Sequence, residues 1–132
     1  MTRYAIDART ALRIIREGIA VPAAHRLVAP NLLRSHVLGL VYAELRDGTI
    51  TEREGKVLLD GLATLRIRLL GDRVSRAVAF GLAAEHGWPD TDHAEYLAVA
   101  KLQADALIAL DDELAGRAEG IVHLAAFEAL LD

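Results

Sequence analysis

Two aspartates follow apolar runs at places where their side chains could act together. Asp7 follows the run at residues 4–6, and Asp111 follows the run at residues 106–110. Short, wholly apolar runs of this kind are typical of buried strands. Parallel strands end at one edge of their sheet, so the two carboxylates would meet there and could bind a hard divalent cation. Each aspartate could instead simply cap the helix that follows it.

Two histidines are the other candidate site residues, and each could instead have a purely structural role. His36 lies on the apolar face of a predicted helix, with Leu33 and Leu40 on the same side. A lone histidine in that setting is more often a satisfied core residue than a ligand. His93 lies in the first turn of a later helix, on the side of Tyr96. It could be no more than a polar residue near a helix start.

Alternating strands and helices must position these residues. Pro30 suits the first turn of a helix, Thr51 with Glu54 forms a capping box, Asp72 is a cap, and Gly18 is a helix stop. The predicted strands are residues 4–6, 27–29, 66–69, 106–110 and 121–122; the predicted helices are residues 8–17, 30–46, 51–65, 72–84, 91–103, 111–117 and 125–131. Short apolar strands separated by helices indicate a parallel sheet covered on both faces. We therefore predict an α/β fold, a three-layer α/β/α sandwich with a short, mainly parallel central sheet, in a single domain spanning residues 1–132.

Composition limits the classes of function. Hydrophobic residues make up 53% of the 132-residue chain and charged residues 26%, as in a folded globular domain. Cysteine is absent, which excludes disulfides and thiolate metal sites, and no apolar run is long enough to cross a membrane. We expect a soluble, cytoplasmic protein without a membrane partner.

The chain is acidic overall, but almost all of its basic residues are arginines. The net charge of -4 argues against a protein that coats nucleic acid by bulk electrostatics. Lys56 and Lys101 are the only lysines, and arginine can bind phosphate through two parallel hydrogen bonds. The densest basic stretch contains Arg66, Arg68, Arg73 and Arg76. It could contact an RNA backbone, although a solvated face is the commoner outcome.

Four segments follow one another along the chain: YAIDAR, APNLLRSHVLGLVY, LRIRLLGD and DTDHAEYLAVAKLQADALIALDDELA. In this order they resemble the PIN domain of VapC-type ribonuclease toxins, the toxin half of type II toxin–antitoxin systems. The resemblance spans residues 4–131 and is most specific over residues 93–111. It implies a PIN-like version of the predicted sandwich.

The resemblance also implies a metal site with two altered positions. PIN domains place four acidic side chains around one or two Mg²⁺ or Mn²⁺ ions. By this resemblance Asp7 is the first acid and Asp111 the last, whereas His36 replaces a glutamate and His93 replaces an aspartate. The implied catalytic and metal-binding residues are therefore Asp7, His36, His93 and Asp111. Asp92 would be an auxiliary ligand, or else a residue of its own helix start.

The two histidines leave two outcomes open. Imidazole and carboxylate together suit Mn²⁺, Zn²⁺ or another transition metal better than Mg²⁺. Alternatively, the loss of two negative charges weakens the cation site, and protonated histidines pair with the aspartates. Among the neighbours, Glu44 is expected to be solvated, with a position at the rim of the pocket as the alternative, and Asp112 and Glu113 are expected to be first-turn helix acids. His25, His86 and His123 show no ligand spacing.

The function implied by the resemblance is a divalent-metal-dependent endoribonuclease that cleaves RNA. Its implied partners are a small antitoxin protein and a second copy of the chain, with a homodimer built on helical faces at residues 35–44 and 52–65. The alternative is a catalytically inactive PIN-fold protein that acts as a binding module or is an inert relative. A receiver-like domain would need a lysine after its last strand. No lysine follows Lys101, so a receiver-like domain is not favoured.

Overall fold

Four parallel strands form the centre of the molecule in the computed structural model, which describes residues 1–132. The strands are β1 (Thr2–Ile6), β2 (His25–Pro30), β3 (Arg68–Leu70) and β4 (Ala106–Ile108). The helices are α1 (Ala8–Glu17), α2 (Leu33–Arg46), α3 (Glu52–Thr64), α4 (Arg73–His86), α5 (Asp92–Gln103) and α6 (Asp112–Ala118), followed by a 3₁₀ helix at Phe127–Leu131. The α/β class and the parallel sheet expected from the apolar runs are confirmed.

The strand order is β3-β2-β1-β4. Strands β2 and β3 therefore lie on one side of β1, and β4 lies on the other. Tyr4 of β1 is in register with Leu27 of β2 and with Ala106 of β4. Because the order changes direction between β1 and β4, their carboxyl ends flank a topological switch point, where open α/β sheets form a crevice. Asp7 immediately follows the first of these two strands.

The helices flank the sheet as the outer layers of a three-layer α/β/α sandwich. Helices α1, α2 and α3 pack on one another, whereas α4 packs on α5 and α5 packs on β1 and β2. The centre of the core is apolar, with Ile6, Leu97, Leu107 and Ile108 almost fully buried. This packing holds the strand ends, and hence the residues that follow them, in fixed positions. None of the helices has both the length and the apolar character that a bilayer span requires.

The helix boundaries that depend on local capping are confirmed. Thr51 accepts the backbone N–H of Glu54 at 3.1 Å, and the Glu54 carboxylate accepts the N–H of Thr51 at 2.9 Å. Asp72 caps α4 in the same reciprocal manner with Ser75. Gly18 ends α1 in the left-handed region, at φ 62°, which a residue with a side chain rarely adopts.

Several boundaries differ from the prediction; among them, β3 spans Arg68–Leu70 rather than residues 66–69, and the terminal helix is a 3₁₀ helix at Phe127–Leu131. Pro30 does not begin a helix: it is the last residue of β2, in register with Leu70, and α2 begins at Leu33. Its fixed φ is compatible with extended backbone, so tertiary pairing with β3 decides its state. The predicted strand at residues 121–122 is wrong, because the parallel contact with Leu107 is made by Leu124 as an isolated bridge. Strand β4 ends at Ile108, two residues earlier than expected.

Candidate functional site

Asp7 is buried at the end of β1, with only 2% of its surface exposed. Its side chain caps α1: Oδ1 accepts the backbone N–H of Thr10 at 2.9 Å and lies 2.6 Å from the Thr10 hydroxyl. The other oxygen, Oδ2, accepts the backbone N–H of Asp111 at 2.9 Å. A buried carboxylate with both oxygens hydrogen-bonded keeps a fixed orientation.

Thr10 ties this carboxylate to the neighbouring strand. Its hydroxyl is fully buried and lies 3.0 Å from the carbonyl oxygen of Ile108, the last residue of β4. The hydroxyl has one proton, so it donates either to Asp7 or to Ile108 at any moment. The ends of β1 and β4 are thereby linked through side chains as well as through the sheet.

Asp111 is more accessible to solvent than Asp7, with 34% of its side chain exposed. It caps α6 by accepting the backbone N–H of Leu114 at 2.9 Å through Oδ2. The same oxygen lies 3.6 Å from Nε2 of His93, and Oδ1 lies 3.5 Å from Nε of Arg9. Asp111 therefore has an imidazole on one side and a guanidinium on the other.

The hydrogen bonds of His93 fix its tautomer. Nδ1 of His93 lies 3.0 Å from a terminal nitrogen of Arg117. A guanidinium only donates hydrogen bonds, so Nδ1 is the acceptor and the ring proton lies on Nε2, towards Asp111. Arg117 is itself held by Glu113 at 2.8 Å and lies over the ring of Trp88 at 5.0 Å. In this arrangement the Nε2–H group of His93 faces the carboxylate of Asp111 across 3.6 Å, just beyond hydrogen-bond distance.

His36 has a different set of neighbours. Its Nδ1 lies 2.9 Å from the hydroxyl oxygen of Tyr96, and its Nε2 lies 3.5 Å from Oδ2 of Asp92. Burial raises the pKa of the Tyr96 hydroxyl far above its usual value, and the negative charges of Asp7, Asp92 and Glu95 raise it further. Tyr96 therefore remains a neutral hydroxyl that fixes the orientation of the His36 ring.

The other acidic residues near the two histidines differ in their surroundings. Asp92 is the first residue of α5 and approaches His36, as an auxiliary residue of the site would. Burial raises the pKa of Glu95, the charge of Asp92 raises it further, and His36 lowers it. Glu44 was expected to be solvated, with a rim position as the alternative; its carboxylate is bound by Arg16, at 2.7 and 2.9 Å, on the last turn of α1. Asp112 and Glu113 are first-turn acids of α6, as expected.

The structure therefore brings Asp7, His93 and Asp111 together at the switch point between β1 and β4, and it places His36 beside Asp92, the residue next to His93 on α5. We call Asp7, His36, Asp92, His93 and Asp111 the switch-point cluster. The sequence argument missed Thr10, Arg9 and Arg117. Only Thr10 had a local signal, because a hydroxyl residue three positions after a cap can bond the cap carboxylate.

The donor chemistry of the switch-point cluster suits a transition-metal ion, because it combines imidazole nitrogens with carboxylate oxygens. No three His, Asp or Glu side chains stand in ligating positions as they are now oriented. Ligation through Nε2 of His93 would require its proton to move to Nδ1 and Arg117 to release that nitrogen. The cluster therefore fits a metal in its donor types and would need this side-chain adjustment to bind one.

Comparison with known proteins gives a structural match. No protein-family model matches the chain, and no curated protein matches it. The chain is similar to the crystal structure of PAE2754 from Pyrobaculum aerophilum, with a TM-score of 0.74 and 20% sequence identity, over 98% of this chain and 93% of that chain. At this identity the similarity shows a common fold, and the α/β sandwich described above is that fold.

Proposed function

We propose that this chain is a divalent-metal-dependent endoribonuclease of the VapC type, acting on RNA in the cytoplasm. One observation carries the proposal. Asp7, His93 and Asp111, which lie on three separate segments, meet at the switch point of the sheet, and His36 lies beside Asp92, the residue next to His93. Ligand sites of open α/β sheets form at such points, and the four positions are those that the resemblance to PIN domains implies.

In this proposal the cluster residues hold the ion in complementary ways. Asp7 and Asp111 supply negative charge, and His93 and His36 supply nitrogen ligands. A bound ion would provide an activated water molecule and neutralise charge developing on the phosphate. Asp7 is kept in place by Thr10 and by the backbone of Asp111, so its oxygens need no reorganisation.

Residues around the cluster would orient the ligands and the substrate. Tyr96 holds Nδ1 of His36, as an outer partner of a ligating histidine does, and a metal ion would take Nε2 in place of its contact with Asp92. As the alternative to ligation, a neutral His36 could accept a proton at Nε2 as a general base. Arg9 is more than half exposed beside Asp111, where its guanidinium would contact an RNA phosphate next to the reacting one.

Cleavage of a structured RNA by the purified protein, titrated with Mg²⁺, Mn²⁺ and Zn²⁺, tests the proposal. We expect the wild type to cleave with Mn²⁺, and Asp111→Asn to lose more than the ~10–100-fold typical of residues that only orient ligands. Asp60→Asn is the matched control, because Asp60 is exposed on α3, far from the cluster in the chain. The restored-acid double variant His36→Glu with His93→Asp is assayed alongside.

A second function is favoured by a specific feature of the cluster. Arg117 occupies Nδ1 of His93, and Arg9 lies beside Asp111. Cationic partners of this kind keep the carboxylates paired without an ion. They favour a catalytically inactive PIN-fold protein that acts as a binding module. That function is supported, and the nuclease rejected, if only the restored-acid variant cleaves RNA.

The proposal includes two protein partners, a small antitoxin and a second copy of the chain. Leu38 and Tyr42 of α2 are about half exposed, and Val57 of α3 is more so, on the two segments expected to form helical interfaces. We expect sedimentation equilibrium to give twice the 14.3 kDa chain mass, and the double variant Leu38→Glu with Tyr42→Glu to give the monomer. Phe80→Glu, which charges an even more exposed apolar site on α4, should leave the dimer intact. A monomeric wild type would contradict this part of the proposal.

A further inference from the structure

A cleft of about 600 Å³ opens along the amino-terminal ends of the strands, at the sheet edge opposite the switch-point cluster. Its walls are the start of β1, the start of β2 with the preceding loop, and the segment that leads into β3. Its volume is within the range of sites that bind small ligands. No residue of the switch-point cluster lines this cleft, and neither do the residues that contact the cluster.

The charge of the cleft is entirely positive. Arg3, Arg26, Arg66 and Arg68 line it, and no aspartate or glutamate does. The ion pairs of the structure involve other residues, so these four guanidinium groups have no carboxylate partner. Asp105 is bound by the backbone N–H of Arg3 at 2.8 Å rather than by its side chain. Four uncompensated cations in a protein of net charge -4 constitute a local anion site.

The sheet register explains why three of the arginines share one face. Arg3 of β1 is in register with Arg26 of β2, so their side chains leave the sheet on the same side. Arg68 of β3 is in register with Val28, which is two residues after Arg26 and therefore on its side. Three adjacent strands thus present guanidinium groups to one space, with neighbouring strands about 4.8 Å apart. Arg66 lies two residues before Arg68 on the approach to β3.

The remaining lining adds one polar and several apolar groups. Both ring nitrogens of His25 are buried without a hydrogen-bond partner in the protein, and its ring packs edge-on against Tyr4 at 5.2 Å. Val21, Pro22 and Ile67 supply an apolar surface in the same cleft. A ligand with both an anionic and an apolar part would match this lining.

We propose that this basic cleft binds a phosphate-bearing ligand of nucleotide size. The guanidinium forks of Arg3, Arg26, Arg66 and Arg68 bind the phosphate oxygens, since arginine matches phosphate through paired hydrogen bonds. The apolar wall packs against the sugar or base. The phosphate can come from a free nucleotide or from an RNA strand, and both present the same chemistry to the cleft. The inference goes beyond the proposed ribonuclease activity, because the site is at the other edge of the sheet.

Fluorescence anisotropy on the full chain tests the inference. The probes are a fluorescent nucleoside triphosphate and a labelled ten-nucleotide RNA, with unlabelled pyrophosphate as competitor. EDTA is present throughout, so a failure of the metal-dependent activity leaves the binding result intact. We expect binding that pyrophosphate displaces, and at least about tenfold weaker binding in the double variant Arg66→Gln with Arg68→Gln. Binding of the triphosphate identifies a nucleotide site, and binding of the RNA alone identifies a strand site.

The matched control is Arg53→Gln with Arg73→Gln. It removes the same charge from two exposed arginines that lie outside the cleft and make no ion pair. We expect its affinity to stay within about twofold of the wild type. Equal weakening of both double variants would show attraction by bulk charge and overturn the proposal. It would also be overturned if no probe bound, or if poly-glutamate competed as well as pyrophosphate at equal charge. Matching thermal unfolding curves would show that both variants are folded.

Discussion

Oδ2 of Asp7 accepts the backbone N–H of Asp111 at 2.9 Å, across 104 positions of sequence. This bond joins the end of β1 to the loop between β4 and α6. The two carboxylates expected to work together are therefore held together by the backbone of one and the side chain of the other.

Replacing Asp7 by asparagine should destabilise the fold. The amide keeps one oxygen for the backbone N–H of Thr10, but its NH₂ group faces the N–H of Asp111, and one buried donor loses its acceptor. We expect a loss of about 1–3 kcal/mol in the free energy of unfolding, measured by urea denaturation at an unchanged slope. The exposed control Asp60→Asn should stay within about 0.5 kcal/mol of the wild type. A wild-type midpoint for Asp7→Asn would show that this bond contributes nothing to stability.

Removing the Thr10 hydroxyl tests the link to β4. Thr10→Val keeps the shape of the side chain, but it removes the donor that serves Asp7 and Ile108, both of which are buried. We expect a stability loss of about 1–3 kcal/mol in the same urea experiment. Thr64→Val is the control, because its hydroxyl bonds only the carbonyl of Gly61 on the exposed end of α3. Equal effects of the two substitutions would contradict a special role for Thr10.

The tautomer of the His93 ring can be determined directly by NMR spectroscopy. Because Arg117 donates to Nδ1, we expect two-bond ¹H–¹⁵N spectra of the metal-free protein near pH 8 to show the Nε2–H form as the main state. Arg117→Met removes the donor while keeping a long side chain, and it should let the Nδ1–H form appear. His86 serves as an internal reference, since its Nδ1 lies 2.9 Å from the carbonyl of Leu82 and must carry a proton to bond it. A main Nδ1–H form at His93 in the wild type would refute the arrangement described here.

The capping box of α3 should make stability depend on pH in a defined direction. The hydrogen bond from the backbone of Thr51 lowers the pKa of Glu54 below its ordinary 4.5. The ionised carboxylate therefore adds stability above about pH 4.5, and this contribution disappears as the pH falls through the lowered pKa of the folded state. Glu54→Ala should lower the melting temperature at pH 7 and differ much less from the wild type at pH 3. Glu52→Ala removes a first-turn acid that makes no capping bond, so its effect should be smaller. A pH-independent effect of Glu54→Ala would contradict this account.

The amino-acid sequence by itself determined the features that depend on neighbours along the chain. The caps at Asp7, Thr51 and Asp72, the helix end at Gly18 and the existence of the four main strands follow from local hydrogen bonding and apolar periodicity. Asp7 and Asp111 were predicted at one edge of the sheet because parallel strands end there, whereas His36 and His93 were predicted from the resemblance.

Only the tertiary structure decided which side chains meet. The strand order placed β1 beside β4, and packing brought Tyr96 to His36 and Arg117 to His93. The basic stretch predicted from adjacent residues was divided: Arg66 and Arg68 joined Arg3 and Arg26 in a cleft that no local pattern indicates. The physical reason is that strand pairing and helix packing join residues far apart in sequence, whereas capping and periodicity act within a few residues. The aspartate pair was therefore predictable from strand ends, but the partners that fix the charge and orientation of its histidines were not.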